Sequence, residues 1–140
     1  MVADALATPR VLVVDDTPAI RLLLRLNLEL DGLEVVEAAD GGEALDLLRS
    51  LARLPDVVTL DAVMEPVDGW STVAEIRRDP RLAHLPVVMI TASVQAHHRA
   101  LAAKRGVDAF VDKPFEPDAV VAAIRSLAEN GRPAPPSPPS

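Results

Sequence analysis

The sequence contains no cysteine. Disulfide frameworks and thiolate metal sites are thereby excluded, which fits a reducing compartment without requiring one. Aromatic residues are nearly absent: Trp70, Phe110 and Phe115 are the only ones. The core must therefore be assembled from Leu, Val, Ile and Ala. No apolar run is long enough to span a bilayer. Met1 to Pro9 shows no basic segment followed by an apolar run, so no signal peptide is read there. A cytoplasmic protein without membrane association is expected. Positive charge is also in short supply, with 14 Lys and Arg against 21 Asp and Glu, a formal net charge of −7. No basic stripe offsets it, so direct contact with nucleic acid is not expected.

What is present suits one domain. The chain has 140 residues and 49% of them are apolar, enough to bury a proper core. Short β-branched runs alternate with helical patterns. Strands are expected at Val11–Val14, Glu34–Glu37, Val57–Leu60, Val87–Ile90 and Ala109–Val111. Helices are expected at Pro18–Asp31, Gly42–Arg53, Asp68–Arg78, Gln95–Arg105 and Pro117–Glu129. Thr17 or Asp16 is available to cap the first helix, Pro18 suits its first turn, and Gly32 stops it. Residues 1–9 and the Pro/Ser-rich 131–140 are expected to be disordered, with the domain over 10–130.

The strands are apolar throughout rather than alternating, which requires both faces of the sheet to be covered. Strand–helix alternation at this spacing implies right-handed βαβ units. The expected fold is α/β: a doubly wound, five-stranded parallel sheet with five helices, in the flavodoxin-like order 2-1-3-4-5. Ligands of such sheets sit at the carboxyl ends of the strands. Those ends carry Asp15 and Asp16, Asp61, Thr91 and Lys113. Three carboxylates, a hydroxyl and an amine should converge in one cleft. Two carboxylates about 4 Å apart repel by roughly 4 kcal/mol at an effective dielectric near 20. Three must shift their pKa values or recruit a cation. Oxygen ligands of this kind favour Mg²⁺. A carboxylate nucleophile, a metal, an ammonium and a hydroxyl together suit phosphoryl transfer to an aspartate.

The Asp15-Asp16 pair, Asp61, Met64 with Asp68-Gly69, Thr91-Ala92 and Lys113-Pro114-Phe115, in that order at those strand ends, resemble the receiver domains (CheY-like) of bacterial two-component response regulators. The resemblance covers about residues 10 to 130. It implies that Asp61 is the phosphoacceptor, and that Asp16, Asp61 and the Val63 backbone carbonyl ligate Mg²⁺, with Asp15 acting mainly through a water. It implies that Lys113 pairs with Asp61 and then with the phosphoryl group. Thr91 is implied to bond a phosphoryl oxygen and move inward on activation, with Phe110 as the switch aromatic. The Lys113–Pro114 peptide is expected to be cis, and small Ala92 to leave room for the phosphoryl group. The partners implied are a sensor histidine kinase or a His phosphotransfer protein, plus a downstream protein target.

One segment departs from the family pattern. Receivers usually carry Pro directly after the residue matched by Met64; here Glu65 stands there and Pro66 follows. A different path for this loop is expected. Val63 and Ser93 occupy the positions that flank the water attacking the phosphoryl group. Apolar Val63 cannot orient a water, so slow self-dephosphorylation is expected.

Blander readings exist for each residue. Asp15-Asp16 can cap a helix, Asp61 can be a loop acid, Thr91 a turn residue and Lys113 a solvated charge. The bland reading must hold at all four strand ends at once. Asp40 and Asp68 read as turn or cap residues, and Trp70 as a cover for apolar surface. His97 and His98 are adjacent rather than four apart, so they read as exposed helix residues, as His84 reads as a loop residue.

In the first helix Arg21, Arg25 and Glu29 form one polar stripe. Ile20, Leu23, Leu24 and Leu28 are expected to face the sheet, and Leu22, Leu26 and Leu30 to extend the apolar face. Packing against Val121, Ile124 and Leu127 of the last helix is the expected use of that surface. A homodimer or partner patch is the alternative, so a monomer or weak homodimer is expected.

Two rivals stand beside a phosphorylated switch. Haloacid-dehalogenase-like phosphatases share the aspartate nucleophile and Mg²⁺, but place a second Asp where Val63 stands. A pseudo-receiver that is never phosphorylated is the other. No turnover enzyme is expected, only self-catalysed phosphoacceptance. No output-domain pattern follows residue 130, so the chain reads as stand-alone or as a receiver fragment of a multidomain regulator.

Overall fold

The computed structural model describes residues 8–92, 100 and 102–133. Five strands form one parallel sheet: β1 (Arg10–Val14), β2 (Glu34–Ala38), β3 (Val57–Leu60), β4 (Val87–Thr91) and β5 (Ala109–Asp112). Their spatial order is β2-β1-β3-β4-β5. The described helices are α1 (Pro18–Leu30), α2 (Gly41–Ser50), α3 (Gly69–Arg78) and α4 (Pro117–Asn130). Residues 102–104 are also helical and run into Gly106, whose φ of 91° ends the turn. Residues 95–99 and 101 of the helix expected over 95–105, His97 and His98 among them, lie outside the described residues, as do Ser93 and the tail from residue 134.

Alternate strand residues feed two cores because the sheet is covered on both faces. Leu12, Val14, Val58, Leu60, Val87 and Met89 point to the layer of α2 and α3, against Ala44, Leu48, Val73 and Ile76. Val11, Val13, Val57, Val88 and Ile90 point to the layer of α1 and α4, against Leu24, Leu28, Val120 and Ile124. Among the described residues every buried side-chain polar atom has a partner.

Helix ends follow local chemistry. Asp40 and Asp68 cap α2 and α3, their carboxylates accepting from the backbone N–H of Glu43 at 3.0 Å and of Ser71 at 2.7 Å, in the manner of ordinary N-caps. Thr17 precedes α1 without a side-chain cap bond. Asp15 Oδ1 instead accepts from the Thr17 N–H at 2.9 Å. α2 stops at Ser50, three residues before the expected Arg53, where Leu51 turns extended. Gly32 follows α1 at φ 84°.

The face of α1 expected against the sheet needs one correction. Leu23 is 39% exposed, whereas Leu24 and Leu28 are buried in the sheet-side core and Ile20 packs against it, partly buried. α1 does pack on the last helix, but through Leu24 and Leu28 against Val120 and Ile124, with Val121 and Leu127 at the margin. Leu22, Leu26 and Leu30, expected to use that contact, are 54, 51 and 86% exposed because they lie on the opposite side of the helix.

Candidate functional site

Three backbone bonds set the site. The Asp15 N–H donates to Ala38 O, the Asp61 N–H to Val14 O and the Lys113 N–H to Thr91 O, at 3.2, 3.2 and 3.0 Å. Each extends a parallel ladder one residue beyond its strand. The residues following β1, β3 and β5 are thus held level at the carboxyl edge. Asp15 and Asp61 follow neighbouring strands. Lys113 follows β5, two strands from β3, a separation of about 10 Å at the usual strand spacing. A four-carbon stem crosses that gap.

The Lys113 ammonium donates to Asp61 Oδ2 at 2.6 Å and to Asp15 Oδ2 at 2.8 Å. The other Asp61 oxygen, Oδ1, accepts from the Val63 N–H at 2.9 Å. Asp61 is therefore fixed between an ammonium and a backbone donor. Asp15 and Asp61 are buried and Asp16 is exposed at the rim. Carboxylate oxygens of all three lie within 4.8 Å of one another.

Two opposed effects act on the Lys113 amine. Burial favours its neutral form, while the hydrogen bonds and charges of Asp15 and Asp61 favour the cation. The partners win, and the pKa is raised above its ordinary value. Three carboxylates facing one ammonium leave the rim negative, and an all-oxygen donor set with water access fits Mg²⁺.

The structure also shows contacts that the sequence did not reveal. Lys113 pairs with Asp61 as expected, and it also reaches Asp15, so that it bridges the two carboxylates. Arg21, read as part of a surface stripe, donates from Nη1 to Asp15 O at 2.6 Å and so clamps the turn that aims Asp15 and Asp16. Gly69 opens α3 directly against the backbone of the loop after β3, its N–H donating to Ala62 O at 3.1 Å. The Lys113–Pro114 peptide is cis as expected, and Glu65–Pro66 is cis as well. Glu65 is exposed, and Val67 O, just beyond it, accepts from the Gly41 N–H at 3.1 Å. Val63 is exposed at 64%. Thr91 is buried at the end of β4, and Phe110 is half-buried, in register with Met89 and packed on the α2–α3 core.

Gly69 carries a sharp expectation. A Cβ there would lie 2.2 Å from Asp61 O and 2.9 Å from the Ala62 Cα. Both are backbone atoms in a loop held by hydrogen bonds, so neither can yield by a rotamer change. Gly69→Ala is expected to cost about 1–3 kcal/mol in urea unfolding, the usual range for overpacking, and to fall at its upper end because backbone atoms cannot move aside. A cost below about 0.5 kcal/mol, the size of an ordinary surface change, would show that the loop is loosely held.

The family model of the response regulator receiver domain matches residues 11–125. The chain belongs to this family. The receiver is 38% identical over 121 residues to the DNA-binding dual master transcriptional regulator RpaA of Synechocystis, a match spanning 85% of this chain and 48% of that protein. It is 34% identical over 125 residues to the phosphate regulon transcriptional regulatory protein PhoB of Rhizobium meliloti, spanning 89% and 54%. The chain thus spans about half the length of the curated relatives it matches. Among solved structures, the Francisella response regulator 1452 receiver domain superposes with a TM-score of 0.81 at 29% identity, covering 87% of this chain and 98% of that one. Vibrio cholerae CheY4 superposes at 0.79 and 30%, covering 86% and 99%.

Proposed function

We propose that this receiver accepts a phosphoryl group on Asp61 from a phospho-His of a sensor histidine kinase or phosphotransfer protein. The observation that carries this reading is the buried Asp61 carboxylate held 2.6 Å from the Lys113 ammonium, with Asp15 and Asp16 beside it. An Asp61 oxygen attacks phosphorus, the P–N bond to the imidazole breaks, and the imidazole leaves with the bonding electron pair. Asp61 is oriented for this by the Val63 N–H, and Lys113 balances charge on the transferring group. Asp16, Asp61 and the Val63 carbonyl, with Asp15 behind them, would hold Mg²⁺. When bound, that ion supplies charge neutralisation for the phosphoryl oxygens.

Thr91 and Phe110 are proposed as the switch pair. Thr91 bonds a phosphoryl oxygen and moves inward, Phe110 follows, and the surface around β5 and α4 is biased to a second state. The apolar side chain of Val63 offers nothing to orient an attacking water, so the phospho-form is long-lived. The domain turns over no separate substrate. It acts on protein partners, either alone or joined to an output domain. The DNA binding named for RpaA belongs to a protein twice the matched length, and the acidic charge here argues against this domain touching DNA itself.

The test is incubation with Mg²⁺ and a small phosphodonor, followed by intact mass. Wild type is expected to gain one phosphoryl group and Asp61→Asn none. A gain that survives the substitution removes Asp61 as acceptor. A phospho-form decaying within seconds removes the role given to Val63.

A further inference from the structure

We propose that Arg21 is a positioning residue for the cation: its guanidinium, held by Glu37, fixes the peptide that carries Asp16 and so sets how tightly the acidic rim binds Mg²⁺. This deepens the reading above and rests on its Mg²⁺ site.

Asp15 is held at four points. Its N–H donates to Ala38 O at 3.2 Å, its Oδ1 accepts from the Thr17 N–H at 2.9 Å, its Oδ2 from Lys113 at 2.8 Å and its backbone O from Arg21 Nη1 at 2.6 Å. Asp16 differs. It is exposed, and among the described residues its carboxylate accepts no hydrogen bond. Its direction therefore comes from the backbone alone. Asp15 O belongs to the peptide group that ends in the Asp16 N and Cα, and that group is planar. A bond to Asp15 O thus fixes the plane from which Asp16 projects. Rotation of the plane would swing the Asp16 carboxylate away from Asp15 and Asp61, whose oxygens it approaches within 4.8 Å.

The clamp is itself anchored. Glu37 Oε1 lies 3.5 Å from Arg21 Nε, and Glu37 Oε2 accepts from Arg25 Nη1 at 2.7 Å. Glu37 stands in β2 directly before Ala38, whose carbonyl takes the Asp15 N–H. The end of β2 therefore holds Asp15 twice, through its N–H directly and through its carbonyl by way of Glu37 and Arg21.

Charge alone would act the other way. A guanidinium beside an acidic rim repels an incoming cation, so as a bare charge Arg21 would weaken Mg²⁺ binding and its removal would tighten it. Helix stability does not account for it either, because the amino end of a helix favours anions. An open cavity of about 190 Å³, lined by Arg21, Glu37, Ala38, Ala39 and Glu43, lies alongside. Once the guanidinium is removed, water from this cavity can take over Asp15 O. That exchange spares the fold but does not hold the peptide to one direction.

Calorimetric titration of Mg²⁺ into the metal-free chain, without phosphodonor, is the test. Arg21→Met is expected to raise the Mg²⁺ dissociation constant roughly tenfold, the lower end of the loss when a group that orients a ligand from outside the coordination shell is removed. Arg25→Met takes the same charge from the same Glu37 without touching Asp15 O, and is expected not to weaken binding. Arg21→Lys keeps the charge but exchanges the planar fork for a compact ammonium, and should lie between Arg21→Met and wild type. Unchanged or tighter binding in Arg21→Met overturns the proposal, as does equal weakening by Arg25→Met. Should Arg21→Met fail to fold, wild-type affinity in Arg21→Lys overturns it. Wild type that takes up no Mg²⁺ at millimolar concentration removes the metal site and the reading beneath it, whereas wild-type binding with no loss in Arg21→Met removes the positioning role alone.

Discussion

Lys113→Met is expected to slow phosphoryl acceptance from a small phosphodonor by about 100-fold, the usual loss when one preorganised charge at a reacting group is removed. The same change is expected to lower stability by about 2–3 kcal/mol in chelator. Among the described residues Lys113 is the only cation bonded to the carboxylates of Asp15 and Asp61, and these side chains are only 3% and 9% exposed. Breaking a buried pair by removing one partner typically costs about 3–5 kcal/mol. The methionine stem keeps some burial, and Asp16 opens the rim to water, which brings the figure down. Added Mg²⁺ should then restore more stability to the variant than it adds to wild type, because a cation among the carboxylates replaces the charge that was lost. The two readouts separate two roles. An unchanged acceptance rate in a destabilised variant would make Lys113 a purely structural counter-ion. An unchanged stability would mean that the carboxylates are better hydrated than their burial suggests.

Much of this site was legible in the sequence because its residues follow the strands directly. A β-branched run that ends in Asp or Lys fixes both the strand and the position of the side chain at its edge. Asp15, Asp61 and Lys113 needed only the strand order to be brought together. What the sequence could not show depends on contacts between distant segments. Nothing local distinguishes Lys113 bonded to Asp61 from Lys113 bonded to both acids, since Asp15 lies 98 residues away. Arg21 reads as one member of a surface stripe until the turn before α1 folds Asp15 O back onto its guanidinium. The leucine-rich α1 is ambiguous for a different reason. With apolar residues on almost every side, periodicity could not choose its buried face, and Leu23 fell on the wrong one. α2 ends early because Leu51 turns extended at a point where the apolar pattern continues through Leu54.

Arg77 is the residue whose role the sequence hid most completely, and Arg77→Met is expected to be the most destabilising change away from the acidic site. Its guanidinium spends all five N–H donors. Nε and Nη2 reach Gly106 O at 3.0 and 2.7 Å, Nη1 reaches Ala83 O and Leu85 O at 3.0 and 2.6 Å, and Nη2 reaches Asp108 Oδ2 at 3.0 Å. One side chain thus ties the end of α3 to the segments that lead into β4 and β5. Burial, with repulsion from Arg132, pulls the Arg77 pKa down to about 10 against the attraction of Asp108, so the group remains a cation at neutral pH. Methionine would fill the stem but take the guanidinium donors away from the Gly106 and Leu85 carbonyls, weaken the hold on Ala83 O, which keeps only Arg132 at 3.4 Å, and remove one partner of a carboxylate 3% exposed. The Val87 N–H at 2.9 Å and Arg132 at 2.9 Å still hold Asp108, so the loss falls short of that for a fully orphaned charge. About 3 kcal/mol in urea unfolding is expected. Arg77→Met with Asp108→Asn should cost less than the sum of the single changes by about 1–3 kcal/mol, because the second substitution removes the charge that the first stranded. Arg77 works where β4 and β5 begin, whereas Asp61 sits where β3 ends. Phosphoryl acceptance by the folded protein at low temperature should therefore be unchanged, and a variant that loses acceptance while still folded would show that the two edges of the sheet are coupled.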